Sequence, residues 1–262
     1  MSDGASVVIP AFNSAGTIER AVLAAAEQAG VVEVIVCDDG STDPTAEVAT
    51  EAGATVLRLP HGGQSVARNA GIERASSAVV VFCDSDDWLA PGAVASMLDA
   101  FGPDVGVVAG RVEVVGEEKA RWWPPEDVGG DLDVAAFLRA NWIGGCTAAI
   151  RRDLALELGG FDPSLKHNMD YNLWIRAAAR SRVVMLSSVV GYVDRSRPSF
   201  SSDRVGALKD RLVMLERLGP EIAPPDAVAA VRAKTATDLA RIVRSPIERW
   251  QWRRRAARWA QG

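Results

Sequence analysis

Four times in the first hundred residues the chain passes from a short apolar run into a segment of helical periodicity. The runs are "SVVIP" (6–10), "VEVIVCDDG" (32–40), "TVLRL" (55–59) and "AVVVFC" (78–83). Between the first two, Ile18, Val22 and Ala25 recur at helical spacing over 16–29, and Gly30 suits the stop. Asp43 and Pro44 read as N-cap and first residue of a helix to about Ala52, and 62–75 as a Gly-led helix. Pro91 opens another helix, to about Phe101. Such alternation argues for an α/β fold, a doubly wound sheet with helices on both faces. The near-continuous apolar character of 78–83 fits a central strand. Ligands of such sheets bind beyond the carboxyl ends of the strands, where Pro10 to Asn13, Asp38 to Gly40 and Asp84 to Asp87 all fall. These three segments should converge on one crevice.

The second half is less regular. Residues 105–115 read as one or two strands, and the Pro/Gly-rich "RWWPPEDVGGD" (121–131) as a mobile flap. A helix over 133–142, a strand over 146–152 and an amphipathic helix over 169–180 follow, then helices over 202–244 with a break at 219–225. A length of 262 residues suits one large domain, alone or with a helical appendix. No apolar run approaches the roughly 18 residues of a membrane span. The start, "MSDGASVVIPAFN", has no basic n-region or signal-type apolar stretch. Cys37, Cys83 and Cys146 are widely spaced and read as reduced thiols. The expected location is the cytoplasm.

In "VFCDSDDWL" (81–89) the apolar run gives way to Asp84, Asp86 and Asp87. Two carboxylates at i and i+2 on a strand end point the same way and suit Mg²⁺ or Mn²⁺ shared with phosphates. The alternative is a cap on the helix that follows, with Asp87 the best fitted to that role. "DDGSTD" (38–43) can accept from a nucleotide or simply form a turn. The turn explains Asp43 better than Asp39. No glycine-rich phosphate loop follows the first run, and His61 and His167 lack His or Cys ligand partners nearby, although His167 lies close to Asp170.

In order and spacing, "VVIPAFN", "CDDGSTD", "GGQSVARNAG" and "FCDSDDWLAP" resemble the family 2 glycosyltransferases of GT-A fold. "RRDLALELGGFDPSL" and "NMDYNLWIRAAA" continue the resemblance, which covers about residues 5 to 200. It implies a mixed, mostly parallel sheet with helices on both faces. A glycosyltransferase domain would span 1–201, with a nucleotide-binding half to about 101 and an acceptor half from about 102. Helices over 202–244 and a basic tail over 245–262 would follow. The reaction implied is metal-dependent transfer, with inversion, from a nucleotide sugar to an acceptor hydroxyl. Pro10, Ala11, Phe12, Asn13 and Asp39 would hold the nucleoside, with Arg68 and Ser85 near the nucleotide. Asp84 and Asp86 match the family's D-x-D, for ribose and for Mn²⁺ or Mg²⁺ with the diphosphate. Asp170 matches the general base. UDP or dTDP sugars are the family default, and the acceptor could be a saccharide, a lipid-linked molecule or a small molecule. Nucleic acid polymers are not expected partners.

Two departures stand out. Met169 replaces the usual Glu beside the base, and Arg195 and Arg197 occupy a stretch where many members carry a metal-proximal His. An Arg there would neutralise diphosphate instead. Gly144, Gly145 and Trp122 could border the acceptor, although turns and packing explain them equally well. The rival readings are a non-catalytic nucleotide-sugar-binding homologue and a sugar-phosphate nucleotidyltransferase. The latter would want a basic Gly-rich loop after the first strand, which "PAFNSAGT" lacks.

The net charge of −5 conceals an asymmetry, because from Arg241 onward seven Arg face one Glu, a local +6 against −11 elsewhere. On a helix, Trp252, Ala256 and Trp259 share a face flanked by Arg253, Arg254, Arg255 and Arg258. Over 249–259 this suits contact with an anionic membrane, peripherally on its inner face; the alternatives are a solvated terminal helix or packing on the acidic body or a partner chain.

Overall fold

The first four runs become β1 (Ala5–Ala11), β2 (Val31–Asp38), β3 (Thr55–Arg58) and β4 (Val79–Phe82). They are separated by α1 (Ile18–Ala26), α2 (Thr45–Glu51) and α3 (Gln64–Arg74). All four pair in parallel, with β1 between β2 and β4. The computed structural model describes residues 4–116, 121–144, 147–196 and 203–260. After β4 come β5 (Trp88–Leu89), α4 (Ala93–Asp99), β6 (Val105–Val115), β7 (Arg121–Trp123), β8 (Gly130–Asp131) and α5 (Val134–Arg139). Next are β9 (Ala148–Arg151), α6 (Arg152–Glu157), α7 (Met169–Ala178) and β10 (Arg182–Asp194). Three helices end the chain: α8 (Arg204–Glu216), α9 (Pro225–Ile242) and α10 (Pro246–Trp259). The sheet runs β3-β2-β1-β4-β9-β6-β10-β5, with β7 added on β6 and β8 on β10. β9 lies antiparallel to both β4 and β6, so the sheet is mixed, while β6 and β10 are parallel.

Strand alternation divides the core into two layers. Val8, Ile35, Cys37, Val80 and Phe82 face one layer, which α3, α5 and α7 cover. Val7, Ile9, Val34, Val36, Val79 and Val81 face the other, against Ile18, Val22 and Met97 of α1 and α4. Phe82 meets Phe161 edge-on at 5.1 Å, beside the buried Trp174. The chain places β2 and β3 on one side of β1, then returns β4 to the other. That reversal opens a crevice above the carboxyl ends of β1 and β4.

Close approach of α3 to the sheet requires Gly71. A Cβ there would lie 2.3 Å from Val8 Cγ1 and 3.1 Å from Cys37 Sγ. Alanine gains about 1 kcal/mol of helix propensity over glycine. Overpacking a filled interior costs about 1–3 kcal/mol. Gly71→Ala should therefore lower unfolding stability by up to about 2 kcal/mol in urea titration. A stabilised variant would show that α3 can lift from the sheet freely.

Several sequence expectations change. Residues 105–115 form one strand, and 121–131 is no free flap, because β7 and β8 stitch it to β6 and β10. α2 begins at Thr45, although the Asp43 carboxylate still accepts the Thr45 N–H at 3.1 Å. Asp87 caps no helix: α4 starts at Ala93, and the buried Asp87 carboxylate instead accepts the Asp194 N–H at 3.0 Å. Trp252 and Trp259 pack against Leu212, Leu239 and Val243, and the Arg232 guanidinium lies 4.2 Å from the Trp259 ring centre. The Trp252/Ala256/Trp259 face thus turns inward, onto α8 and α9. Among the described residues, no helix is long and apolar enough to cross a membrane.

Candidate active site

The three predicted strand ends do meet, and side chains lace them together. Asn13 sits in the left-handed region (φ 51°); its N–H donates to Ser41 Oγ, and its Oδ1 accepts the Thr42 N–H at 2.9 Å. Ser14 Oγ lies 2.8 Å from Ser85 Oγ, which joins the loop after β1 to the loop after β4. Arg20, on α1, donates to the Asp86 carbonyl at 2.8 Å and to Asp194 at 3.1 Å. Its guanidinium lies over the Trp88 ring at 3.8 Å. The acidic turn is therefore held by α1 on one side and by the end of β10 on the other.

Above the strand ends lie two cavities that share Gln64, Asp86 and Met169. The first, about 640 Å³, is bounded by Pro10 to Ser14, Asp39, His61 to Gly63 and Ser85, with the 163–166 loop opposite. The buried Asp39 carboxylate accepts the Gly62 and Gly63 N–H groups at 2.7 and 2.8 Å, and His61 Nδ1 lies 3.0 Å away. The exposed Phe12 ring lies 4.5 Å from His61, centre to centre. His61, assigned no role from sequence, is thus part of this wall because it follows β3 at the same edge of the sheet.

The second cavity, about 480 Å³, holds Arg68, Asp84, Asp86, Gly144, Asp170 and Arg195. Arg68 is only 2% exposed, and its guanidinium donates to Asp84 Oδ1 at 2.6 Å. It therefore lies behind the acidic turn and offsets part of its charge. Arg68 Nε is buried and, among the described residues, has no hydrogen-bond partner, so the guanidinium is held chiefly for Asp84. Asp170 occupies the first turn of α7, where Asn141 Nδ2 donates to Oδ2 at 3.0 Å. Burial pushes the Asp170 carboxyl above the usual aspartate range, and the Tyr171 N–H, Arg68 and Asn141 offset part of this. Desolvation by the surrounding protein, then the charge of Asp84, likewise raises Asp86.

β7 alternates, so Arg121 and Trp123 line the second cavity while Trp122, between them, does not. Trp123 stacks on Trp142 at 5.8 Å. Reading 121–131 as a strand would have separated the two tryptophans. Gly145, Cys146 and Arg197 lie outside the described residues.

The profile of the family described as "Glycosyl transferase family 2" matches residues 6–159. The chain belongs to that family. It is a glycosyltransferase, with nucleotide-sugar transfer as its class of activity. The succinoglycan biosynthesis protein ExoU of Rhizobium meliloti (strain 1021) is 30% identical over 254 positions, covering 86% of this chain and 72% of the relative. S. aureus TarS (residues 1–349) in complex with UDP-GlcNAc superposes with a TM-score of 0.69 at 16% identity, covering 98% of this chain and 89% of that one. The mannosyltransferase PcManGT of Pyrobaculum calidifontis, in complex with GDP-Man and Mn²⁺, gives 0.62 at 18% identity, covering 98% and 85%. The fold of this glycosyltransferase is accordingly of the GT-A type.

Proposed function

We propose that the enzyme transfers a sugar from a nucleoside diphosphate sugar to an acceptor hydroxyl in a single, inverting displacement. The observation that carries this reading is the pair of cavities meeting at Asp86, one walled by Asp39 and Phe12, the other by Asp170. A donor with its nucleoside in the first cavity would pass its diphosphate over Asp86 and present its sugar beside Asp170. Asp39 offers about four acceptor sites. The Gly62 and Gly63 N–H groups occupy two, and His61 Nδ1 lies 3.0 Å from the Asp39 backbone carbonyl oxygen, which leaves carboxylate lone pairs for the N3–H of uracil or thymine. UDP- and dTDP-sugars are therefore favoured, and the UDP-GlcNAc complex of TarS supports a donor of this class.

Asp84, fixed by Arg68, would meet the ribose, and Arg195 the diphosphate. Asp170 would take the acceptor proton as the new glycosidic bond forms; a base of raised affinity for protons suits that task. Trp123 and Gly144 would border the acceptor, a saccharide or a lipid-linked or small molecule. The role of ExoU in succinoglycan biosynthesis supports a saccharide.

Among the described residues, no group of three or more His, Cys, Asp or Glu side chains is arranged to hold a metal. Asp86 nonetheless lines both cavities beside Asp84, and burial together with the Asp84 charge raises its carboxyl. Hard divalent ions are commonly held by one or two carboxylates together with substrate phosphates. The residues therefore fit Mn²⁺ or Mg²⁺ bound jointly with the diphosphate, as the Mn²⁺ and GDP-Man complex of the archaeal mannosyltransferase also supports. When bound, the cation would supply neutralisation of the charge on the departing diphosphate.

The test is a thermal-shift panel of nucleotide sugars with and without Mn²⁺, followed by turnover of each binder. UDP- or dTDP-sugars should raise the melting temperature more with Mn²⁺ than without it. A panel in which no nucleotide sugar shifts melting would overturn the reading. Because an aromatic contact contributes about 0.5–1.5 kcal/mol, Phe12→Ala should weaken UDP binding by about two- to tenfold in calorimetry. Unchanged affinity would remove Phe12 from the nucleoside wall.

A further inference from the structure

We infer that the outward face of α10 docks on an anionic lipid bilayer. This goes beyond the transfer reaction and does not depend on it. The helix is firmly started: Pro246 stands at its first turn, and the Ser245 side chain accepts the Glu248 N–H at 3.4 Å. Ala256 is buried and Trp252 and Trp259 are half-buried against α8 and α9, which settles the side that looks inward. At about 100° per residue, the opposite side carries Ile247, Trp250, Arg254 and Arg258.

That side is unusual for a protein surface. Ile247 is 69% exposed and Trp250 57%, among the most exposed large apolar side chains of the described residues, and they lie on adjoining turns of one helix. Arg253, Arg254, Arg255 and Arg258 are all exposed. Among the described residues, none of these four lies within ion-pair distance of a carboxylate; the ion pair made by α10 is Glu248 with Lys209. Arg254 lies over the Trp250 ring at 4.8 Å, so cation and ring face solvent together.

Charge alone would suit any polyanion. Ile247 and Trp250 beside it select a surface with hydrocarbon beneath its anionic layer, where Trp sits at headgroup depth and Arg meets phosphate. Residues 1–240 carry −11, so an anionic bilayer would repel them and favour approach by α10 first.

The test is co-sedimentation of the full chain with vesicles of phosphatidylglycerol and phosphatidylcholine, and with phosphatidylcholine alone. Binding is expected to the anionic vesicles only, and to be lost at about 1 M salt, where the Debye length is about 3 Å. The double variant Arg254→Glu/Arg258→Glu should bind about tenfold more weakly or worse. Ile247→Ser/Trp250→Ser should also bind more weakly at low salt, with circular dichroism and nucleotide binding unchanged in both variants. Equal binding to neutral vesicles, or undiminished binding by both variants, would overturn the proposal. So would tighter retention by single-stranded DNA that anionic vesicles cannot displace. A wild-type dimer that Ile247→Ser/Trp250→Ser converts to monomer, without vesicle binding, would assign the face to a second copy of the chain. Loss of vesicle binding with sugar transfer intact would leave the enzymatic reading untouched.

Discussion

Asp170→Asn should abolish sugar transfer while leaving donor binding and folding intact. Removing a positioned general base costs on the order of 10²–10⁴ in rate. The substitution conserves shape, and its amide oxygen can still accept from Asn141, which donates to Oδ2 in the native site. Stability at neutral pH should not fall. The folded-state affinity of Asp170 for protons is raised, so its ionised form opposes folding above that raised value. The opposition is relieved as pH drops through it, and an amide avoids it altogether. Calorimetric binding of a nucleoside diphosphate, urea unfolding and turnover should therefore separate cleanly. Turnover within about tenfold of wild type would take the base assignment away from Asp170.

The same raised value sets a pH profile. Once protonated, Asp170 cannot take the acceptor proton, so kcat should fall on the acid side at a pH above the ordinary aspartate value of about 3.9. A profile flat from neutral pH down to that value would argue that another group accepts the proton.

The nucleotide half was legible because each strand there is short, apolar and separated from the next by a helix signal. Parallel pairing of β1 with β2 and β4 then brings Pro10 to Asn13, Asp39 and Asp84 to Asp87 together at one edge without further information. The acceptor half was not. β10 hides because its pairing with β6 slips between Met185 and Val189, where the exposed Ser187 and Ser188 break the period of two. β7 hides in a Pro/Gly-rich segment, and with it the distinction between Trp122 and Trp123. Arg68 could be placed near the nucleotide by motif, but its burial behind Asp84 depends on α3 lying close to the sheet. Arg20 acts across 66 residues of chain to Asp86 and 174 to Asp194, contacts that no local pattern encodes. The inward face of α10 likewise depends on α8 and α9. Both faces carry tryptophan, and only packing decides which is covered.

Asp86→Asn should remove most activity by a different route, and its signature lies in binding rather than in the pH profile. Asp86 lines both cavities, and its carboxyl, like that of Asp170, is raised in the folded chain. Its ionised form therefore disfavours folding slightly above the raised value, a penalty relieved as pH falls through it. Solvent reaches the side chain, so the relief from an amide is small, and the unliganded variant should melt at or just above the wild-type temperature. The extra thermal shift that Mn²⁺ gives to a nucleoside diphosphate should shrink or vanish, because an amide oxygen is a poorer ligand for a hard cation than a carboxylate. The nucleoside contacts at Asp39 and Phe12 are made by side chains other than Asp86, so metal-free binding of the nucleoside should persist. With several kcal/mol of charge stabilisation lost, turnover should drop on the order of 10³-fold. The comparison with Asp84→Asn is decisive for the division of labour between the two acids. Asp84 accepts from Nη2 of the buried Arg68, whose Nε has no hydrogen-bond partner among the described residues, so Asp84→Asn weakens an ion pair in the interior. That variant should lose stability as well as activity. If Asp86→Asn melted lower than wild type while keeping its Mn²⁺-dependent shift, Asp86 would be a structural acid and the cation would have to be held elsewhere.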